Sequence, residues 1–209
     1  MPELPEVETF RRQIETAVQN KTVTDVDVRP DSIVFCGKSP AIVKKVFLGM
    51  KIKKCLRQGK YIWLELSQKP WPVFHLGMKG SYILSKSLPE TTSKSIKLVL
   101  QMHDGTFFIF KDPRRFARKF LMDNPLASKP LGYLGPDVLT ELPSPHQLRA
   151  LLGSRKAPIK SLLMNQALLA GIGDWIADEI LFQSGINSHR KAYELKKAEI
   201  KKIHSKNNL

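Results

Sequence analysis

Residues 97–110, KLVLQMHDGTFFIF, read as two strands around a turn. Residues 97–102 alternate in the two-residue period of a half-buried strand. His103-Asp104-Gly105-Thr106 carries the Asp-Gly chemistry of a tight hairpin. Phe107-Phe108-Ile109-Phe110 then returns as an apolar, aromatic run. Upstream, Tyr61-Ile62-Trp63-Leu64-Glu65-Leu66 has the same aromatic and β-branched character. From about residue 50 to 122, short strands separated by turns predict an antiparallel sandwich.

The flanks differ. Val7, Phe10, Ile14 and Val18 recur at spacings of three and four, which predicts an amphipathic helix over 5–19 with Pro5 and Glu6 in its first turn. Val23, Val26 and Val28 predict a strand, and PAIVKKVFL (40–48) a short helix closed by Gly49. After the loop-rich stretch that holds Asn124-Pro125 and Lys129-Pro130, the pattern turns helical. Ser144 caps and Pro145 opens a helix running to Leu152. Further helices are predicted over 158–169, ended by Gly171-Ile172-Gly173, over 174–184 and over 192–204. The expected fold class is α+β: an N-terminal antiparallel β-sandwich with an N-terminal helix, then a helical domain. The boundary is placed near residue 130, giving domains 1–130 and 131–209.

Of 209 residues, 42% are hydrophobic, enough for one large core or two small ones. No apolar run approaches the roughly 18–20 residues of a membrane span. The start alternates Pro and Glu and has no secretory h-region, so an intracellular setting is expected. Cys36 and Cys55, outside any CxxC spacing, read as buried reduced thiols, and the five histidines are scattered. No metal and no cofactor are expected. With 34 Lys+Arg against 19 Asp+Glu, the net charge is +15. Such a chain usually meets a polyanion. Charge alone equally fits RNA, a membrane lipid, an acidic protein or a merely solvated basic surface.

The N-terminus reads MPELPEVET. Removal of Met1 would leave Pro2 with a free secondary amine, and α-amino groups have pKa values of about 7.7–8.0. Such an amine is partly neutral at pH 7 and can attack a sugar C1′ to form an iminium. Glu3 stands beside it as a proton donor or acceptor. Read alone, the same residues merely open a helix.

Further along come Gln58-Gly59-Lys60-Tyr61, His75-Leu76-Gly77-Met78-Lys79-Gly80, Asp112-Pro113-Arg114-Arg115-Phe116 and, after Leu162-Leu163-Met164-Asn165-Gln166, the run from Gly171-Ile172-Gly173-Asp174 to Glu179. In this order and approximate spacing, the set resembles the formamidopyrimidine-DNA glycosylase (Fpg/Nei) family, from residue 1 to about 190. The resemblance implies a β-sandwich joined to a helical domain with a helix–two-turns–helix element, and damaged double-stranded DNA bound between them. It implies a monomeric base-excision enzyme, glycosylase and AP lyase in one, that removes oxidised purines through a Schiff base and cleaves the strand by β/δ-elimination. Pro2 matches the family's nucleophile, Glu3 its general acid, and Lys60 and His75 its phosphate contacts. Glu6 and Glu179 match glutamates that organise the site near the domain junction.

A base inside a duplex is reachable only by flipping it out. Met78 and Phe116 suit the hole left behind, as apolar wedges. Arg114, two residues before Phe116, would point the same way in an extended loop and could hydrogen-bond the orphaned base, which in the family is cytosine. Gly171-Ile172-Gly173 precedes a helix N-terminus suited to phosphate, which makes Gly173 and Asp174 DNA-contact candidates.

Two departures stand out. The family usually has Asn where Asp174 stands, and an ionised aspartate would repel phosphate. The family's helical domain also normally continues into a zinc finger or a metal-free hairpin, so this one reads as truncated. The lack of zinc ligands resembles plant and fungal members and implies a nuclear location; in a bacterium the location would be cytoplasmic. Formamidopyrimidines are the first expected lesion, and 8-oxoguanine stays open. The alternative is a DNA-binding protein that keeps the fold without turnover.

Overall fold

Helix α1 (Leu4–Val18) presents Val7, Ile14 and Val18 along one buried stripe. Strand β1 (Val23–Val28) follows, then α2 (Pro40–Phe47), whose N-cap Ser39 accepts the Ile42 N–H while Pro40 opens the first turn. Among the described residues seven more strands follow: β2 (Ile52–Gln58), β3 (Tyr61–Leu66), β4 (Trp71–His75), β5 (Ser81–Ser85), β6 (Ile96–Met102), β7 (Phe107–Lys111) and β8 (Arg118–Met122). They form two four-stranded antiparallel sheets, in the orders β1-β6-β7-β5 and β2-β3-β4-β8. The computed structural model describes residues 1–87 and 93–207.

Phe35, Phe47, Ile62, Leu64, Phe74, Leu98, Leu100, Phe108 and Phe110 build the sandwich core. The alternation expected over 97–102 gives way to near-continuous burial in β6. The cause is a second apolar cluster of Ile96, Val99, Phe107 and Ile109, which shields the other face of the β6–β7 hairpin. Cys55 is buried, and burial pushes its thiol pKa up; Cys36 is exposed, contrary to the buried reading. Lys119 carries its amino group into the core. Its Nζ lies 3.6 Å from the centre of the Phe110 ring, with Phe74 and Phe35 at 5.0 and 5.2 Å. Loss of hydration there drives its pKa well below the ordinary lysine value, against the attraction of Asp112.

The chain divides into two compact units: Met1–Pro2 with Glu6–Gly132, and Glu3–Pro5 with Tyr133–Leu209. The second unit holds α3 (Pro145–Leu152), α4 (Ile159–Leu163), α5 (Asp174–Ser184) and α6 (Lys197–Lys206). Its core combines Leu148, Leu152, Leu163, Ile176, Ile180 and Ile203 with Leu4 from the start of the chain. Helix α3 opens with a capping box between Ser144 and Gln147. Helix α4 stops at Leu163, short of the predicted 169, because side chains compete for its backbone groups. Asn165 accepts the Ala167 N–H, while Gln166 accepts the Gly171 N–H and donates to the Met164 and Ile172 carbonyls. Two turns therefore separate α4 from α5. The last helix starts at Lys197 rather than 192, where Glu199 reaches back to the Lys196 N–H. No helix among the described residues is long and apolar enough to cross a membrane.

Candidate functional site

Glu3 is almost fully buried in the helical unit. Its carboxylate accepts the backbone N–H groups of Trp175 and Ile176, at 3.2 and 3.3 Å. It thereby caps α5, whose own N-cap residue, Gly173, has no side chain to do so. A Cβ on Gly173 would lie 2.2–2.5 Å from the Glu3 carboxylate, so only glycine leaves room for it. Two of the N–H groups that sequence reasoning offered to a DNA phosphate are thus occupied by Glu3. Asp174, exposed on the first turn of α5, pairs with Lys160 at 2.9 Å, and Lys160 also reaches Asp178. Its charge therefore has a cation beside it. Glu179 is exposed on the same helix and accepts from Gln183; Glu6 is exposed on α1.

In the sandwich unit, Gly59 and Lys60 form the two-residue turn between β2 and β3, where Gln58 pairs with Tyr61. Lys60 is buried there. Sequence reading missed the network that fixes this turn. Arg57, its side chain only 3% exposed, donates to Glu8 and to the Gly59 carbonyl, each at 2.9 Å. Glu8 also receives Arg11 and Arg12. Burial alone would raise the Glu8 carboxyl, but hydrogen bonds from the three arginines outweigh it and hold the pKa at about 2. The Glu8–Arg11 and Glu8–Arg12 spacings were readable as helix pairs; Arg57 lies 49 residues away and carries no local signal.

His75 faces Tyr61 across the β3–β4 ladder, with ring centres 4.8 Å apart. Burial, then the positive charges of Lys60 and Arg118, lowers its pKa to about 4. The imidazole is neutral at pH 7. Its Nδ1 accepts the Gly77 N–H at 3.2 Å, which leaves the proton on Nε2 as the outward donor.

Two loops of this unit interlock. Met78 sits exposed at the tip of the β4–β5 loop, and Phe116 is similarly exposed on the β7–β8 loop. Gly77, at φ +60°, lies so close to the second loop that a Cβ would come within 2.4 Å of the Phe116 carbonyl carbon. Asp112, completely buried, accepts the N–H groups of Arg114, Arg115 and Ala117 at 3.1, 3.0 and 2.8 Å. The loop is therefore a tight turn and not the extended segment expected. Arg114 and Phe116 still share a side, for a different reason: Arg115 takes the left-handed conformation at φ +59° and its side chain turns away. The Arg114 guanidinium stacks on the Phe116 ring, 4.8 Å from its centre. Arg115 instead grips Asp31 with Nε at 2.9 Å and Nη2 at 3.2 Å, and Lys97 reaches the same carboxylate at 3.0 Å. Burial would raise the Asp31 carboxyl, but Arg115, the Val34 N–H and Lys97 bring it down to about 2.

Residues 1–119 match the formamidopyrimidine-DNA glycosylase N-terminal domain, and residues 134–208 the formamidopyrimidine-DNA glycosylase H2TH domain. An Arabidopsis thaliana formamidopyrimidine-DNA glycosylase is 37% identical over 217 residues, covering 98% of this chain and 56% of the relative. A Bacillus cereus formamidopyrimidine-DNA glycosylase is 35% identical over 206 residues, covering 98% of this chain and 74% of the relative. The chain thus spans little more than half the length of the plant relative. Among solved structures, the Lactococcus lactis Fpg in complex with DNA containing an abasic site superimposes with a TM-score of 0.89 at 27% identity, over 99% of this chain and 76% of that one. The same enzyme with DNA containing N7-benzyl-Fapy-dG gives 0.88 at the same identity, over 99% and 76%. With both domain families matched in sequence and the fold shared throughout, the chain belongs to the formamidopyrimidine-DNA glycosylase family.

Proposed function

We propose that the protein is a base-excision DNA glycosylase with AP lyase activity, acting on oxidised purines, formamidopyrimidines first. The carrying observation is the seat of Glu3. The residue bonded directly to Pro2 is fixed by a helix N-terminus and is no part of a loose tail. In this reading Pro2, freed of Met1, attacks C1′ of the flipped nucleotide. The C1′–N bond breaks, the base leaves with a proton, and the amine nitrogen and C1′ share an iminium. Glu3 assists by protonating the sugar ring oxygen as the C1′–O4′ bond breaks, which opens the ring and frees C1′ for the iminium double bond. Loss of the C2′ proton then expels the 3′ phosphate, and a second elimination releases the 5′ phosphate. Lys60 and the Nε2–H of His75 hold phosphates around the lesion. Met78, Arg114 and Phe116 fill the vacated stack, with Arg114 on the orphaned base. Gly173 and Asp174 face the backbone, and Glu6 and Glu179 organise the site. The substrate is damaged double-stranded DNA and the working unit a monomer.

The test is borohydride trapping on DNA that carries an abasic site. Hydride reduces the iminium to a stable amine, so a lyase becomes covalently attached. Pro2→Gly, or residues added ahead of Pro2, should abolish the adduct. Full trapping by an N-terminally blocked protein would rule out Pro2, and reversible binding without any adduct would identify a binding protein.

A further inference from the structure

We infer that Asp31 is a positioning residue for readout of the base opposite the lesion, acting through Arg115 on the Arg114–Phe116 pair; this rests on the glycosylase reading above. An L-residue is held in the left-handed region only where its surroundings over-determine it. Here two aspartates do so, one through the backbone and one through the side chain. Asp112 fixes the backbone through three N–H groups, and Asp31 fixes the Arg115 side chain through a two-pronged contact. Asp31 is itself immobilised. Its side chain is 2% exposed, it accepts the N–H groups of Ile33 and Val34, and Lys97 of β6 holds its second oxygen. The Arg115 side chain, by contrast, is half exposed, and among the described residues Asp31 is the buried carboxylate that holds it.

The two consecutive arginines are thereby given different tasks. Arg115 is spent on Asp31, and Arg114 lies over Phe116. Releasing Arg115 removes one of the two restraints on the left-handed turn, loosens the Arg114–Phe116 pair, and sets a second guanidinium loose beside the same base. Either change weakens a fork whose selectivity depends on fixed geometry.

The test measures binding of the whole protein to duplexes holding a reduced abasic analogue opposite each of the four bases, which needs no turnover. Borohydride trapping is run in parallel. Wild type is expected to favour cytosine. Asp31→Asn, which keeps an acceptor for the Ile33 and Val34 N–H groups, should flatten that preference by about fivefold. Arg115→Gln, altered on the half-exposed side, should do the same, with a lowered melting temperature because the buried Asp31 loses a main partner, so the ratio across the four bases and not the affinity is the readout. In an Arg114→Ala background, Asp31→Asn should have no further effect on the ratio, whereas a merely structural role would lower overall affinity and leave the ratio intact. Retention of the wild-type ratio by both variants, multiplicative effects in the double variant, or no opposite-base preference in wild type would each overturn the inference. Preference without trapping would instead refute the lyase reading and leave Asp31's role standing.

Discussion

Replacing Gly173 by alanine tests whether one carboxylate serves both α5 and the chemistry. The new methyl would lie 2.2 Å from the Glu3 carboxyl carbon, and ordinary contact begins near 3.4 Å, so the carboxylate must retreat by about 1.2 Å. Its hydrogen bonds to Trp175 and Ile176 are already 3.2 and 3.3 Å long, so both break. Loss of a side-chain N-cap costs about 1–2 kcal/mol, and in a domain of 60–100 residues each kcal/mol lowers the melting midpoint by roughly 4–8 °C. Alanine at an extended N-cap adds no left-handed strain, so this displacement is the main effect. For catalysis, a group misplaced by about 1 Å loses on the order of 10²-fold in rate. Base excision should fall by about that factor, while trapping at a preformed abasic site, which needs no base departure, should fall much less. The assay is single-turnover excision on lesion duplex beside trapping on abasic duplex, with calorimetry on the same samples. An alanine variant that melts with wild type and excises at the wild-type rate would show that Glu3 does not work from this seat.

His75 gives a pH signature. Its folded pKa of about 4 lies below the unfolded value of about 6.5, so the unfolded chain binds the extra proton, and stability is lost as pH falls from 6.5 toward 4 by up to about 3 kcal/mol. Urea midpoints for wild type and His75→Asn should converge over that window, and a constant gap between them would refute the neutral assignment. Glu8→Ala takes the carboxylate from the buried Arg57 and should destabilise by about 3 kcal/mol in urea titrations; a loss below 1 kcal/mol would show that the Glu8–Arg57 contact is dispensable. Asp174→Asn removes the anion that shares Lys160, so DNA binding at low salt should tighten by about 1 kcal/mol or less and the gain should fade as salt rises. Equal titration curves at low salt would place Asp174 away from phosphate.

The hairpin at 103–106, the α3 capping box and the strand-rich middle were readable because their causes are local: a turn dipeptide, a Ser–Gln spacing of three, a density of β-branched and aromatic residues. What escaped depended on partners remote in sequence or on side chains acting as backbone. Nothing in residues 158–169 says that Asn165 and Gln166 will end the helix by taking backbone groups. Alternation in β6 failed because Val99 found cover on the face expected to be wet. Among site residues, the motifs pointed to Glu3, Lys60, His75 and Arg114, but not to what holds them. Arg115 reads as a duplicate of Arg114 until its φ and its 84-residue reach to Asp31 are known.

The bond from Glu3 to Trp175 joins residues 172 positions apart, which has a consequence for how the protein is made. A ribosome adds about 5–20 residues per second, so the first residues synthesised wait on the order of ten seconds or more for the partners that seat them. During that interval Pro2 and Glu3 ride on an unfinished chain whose capping partner has not yet been made. In the proposed reading, that interval leaves Met1 removable before Glu3 is seated.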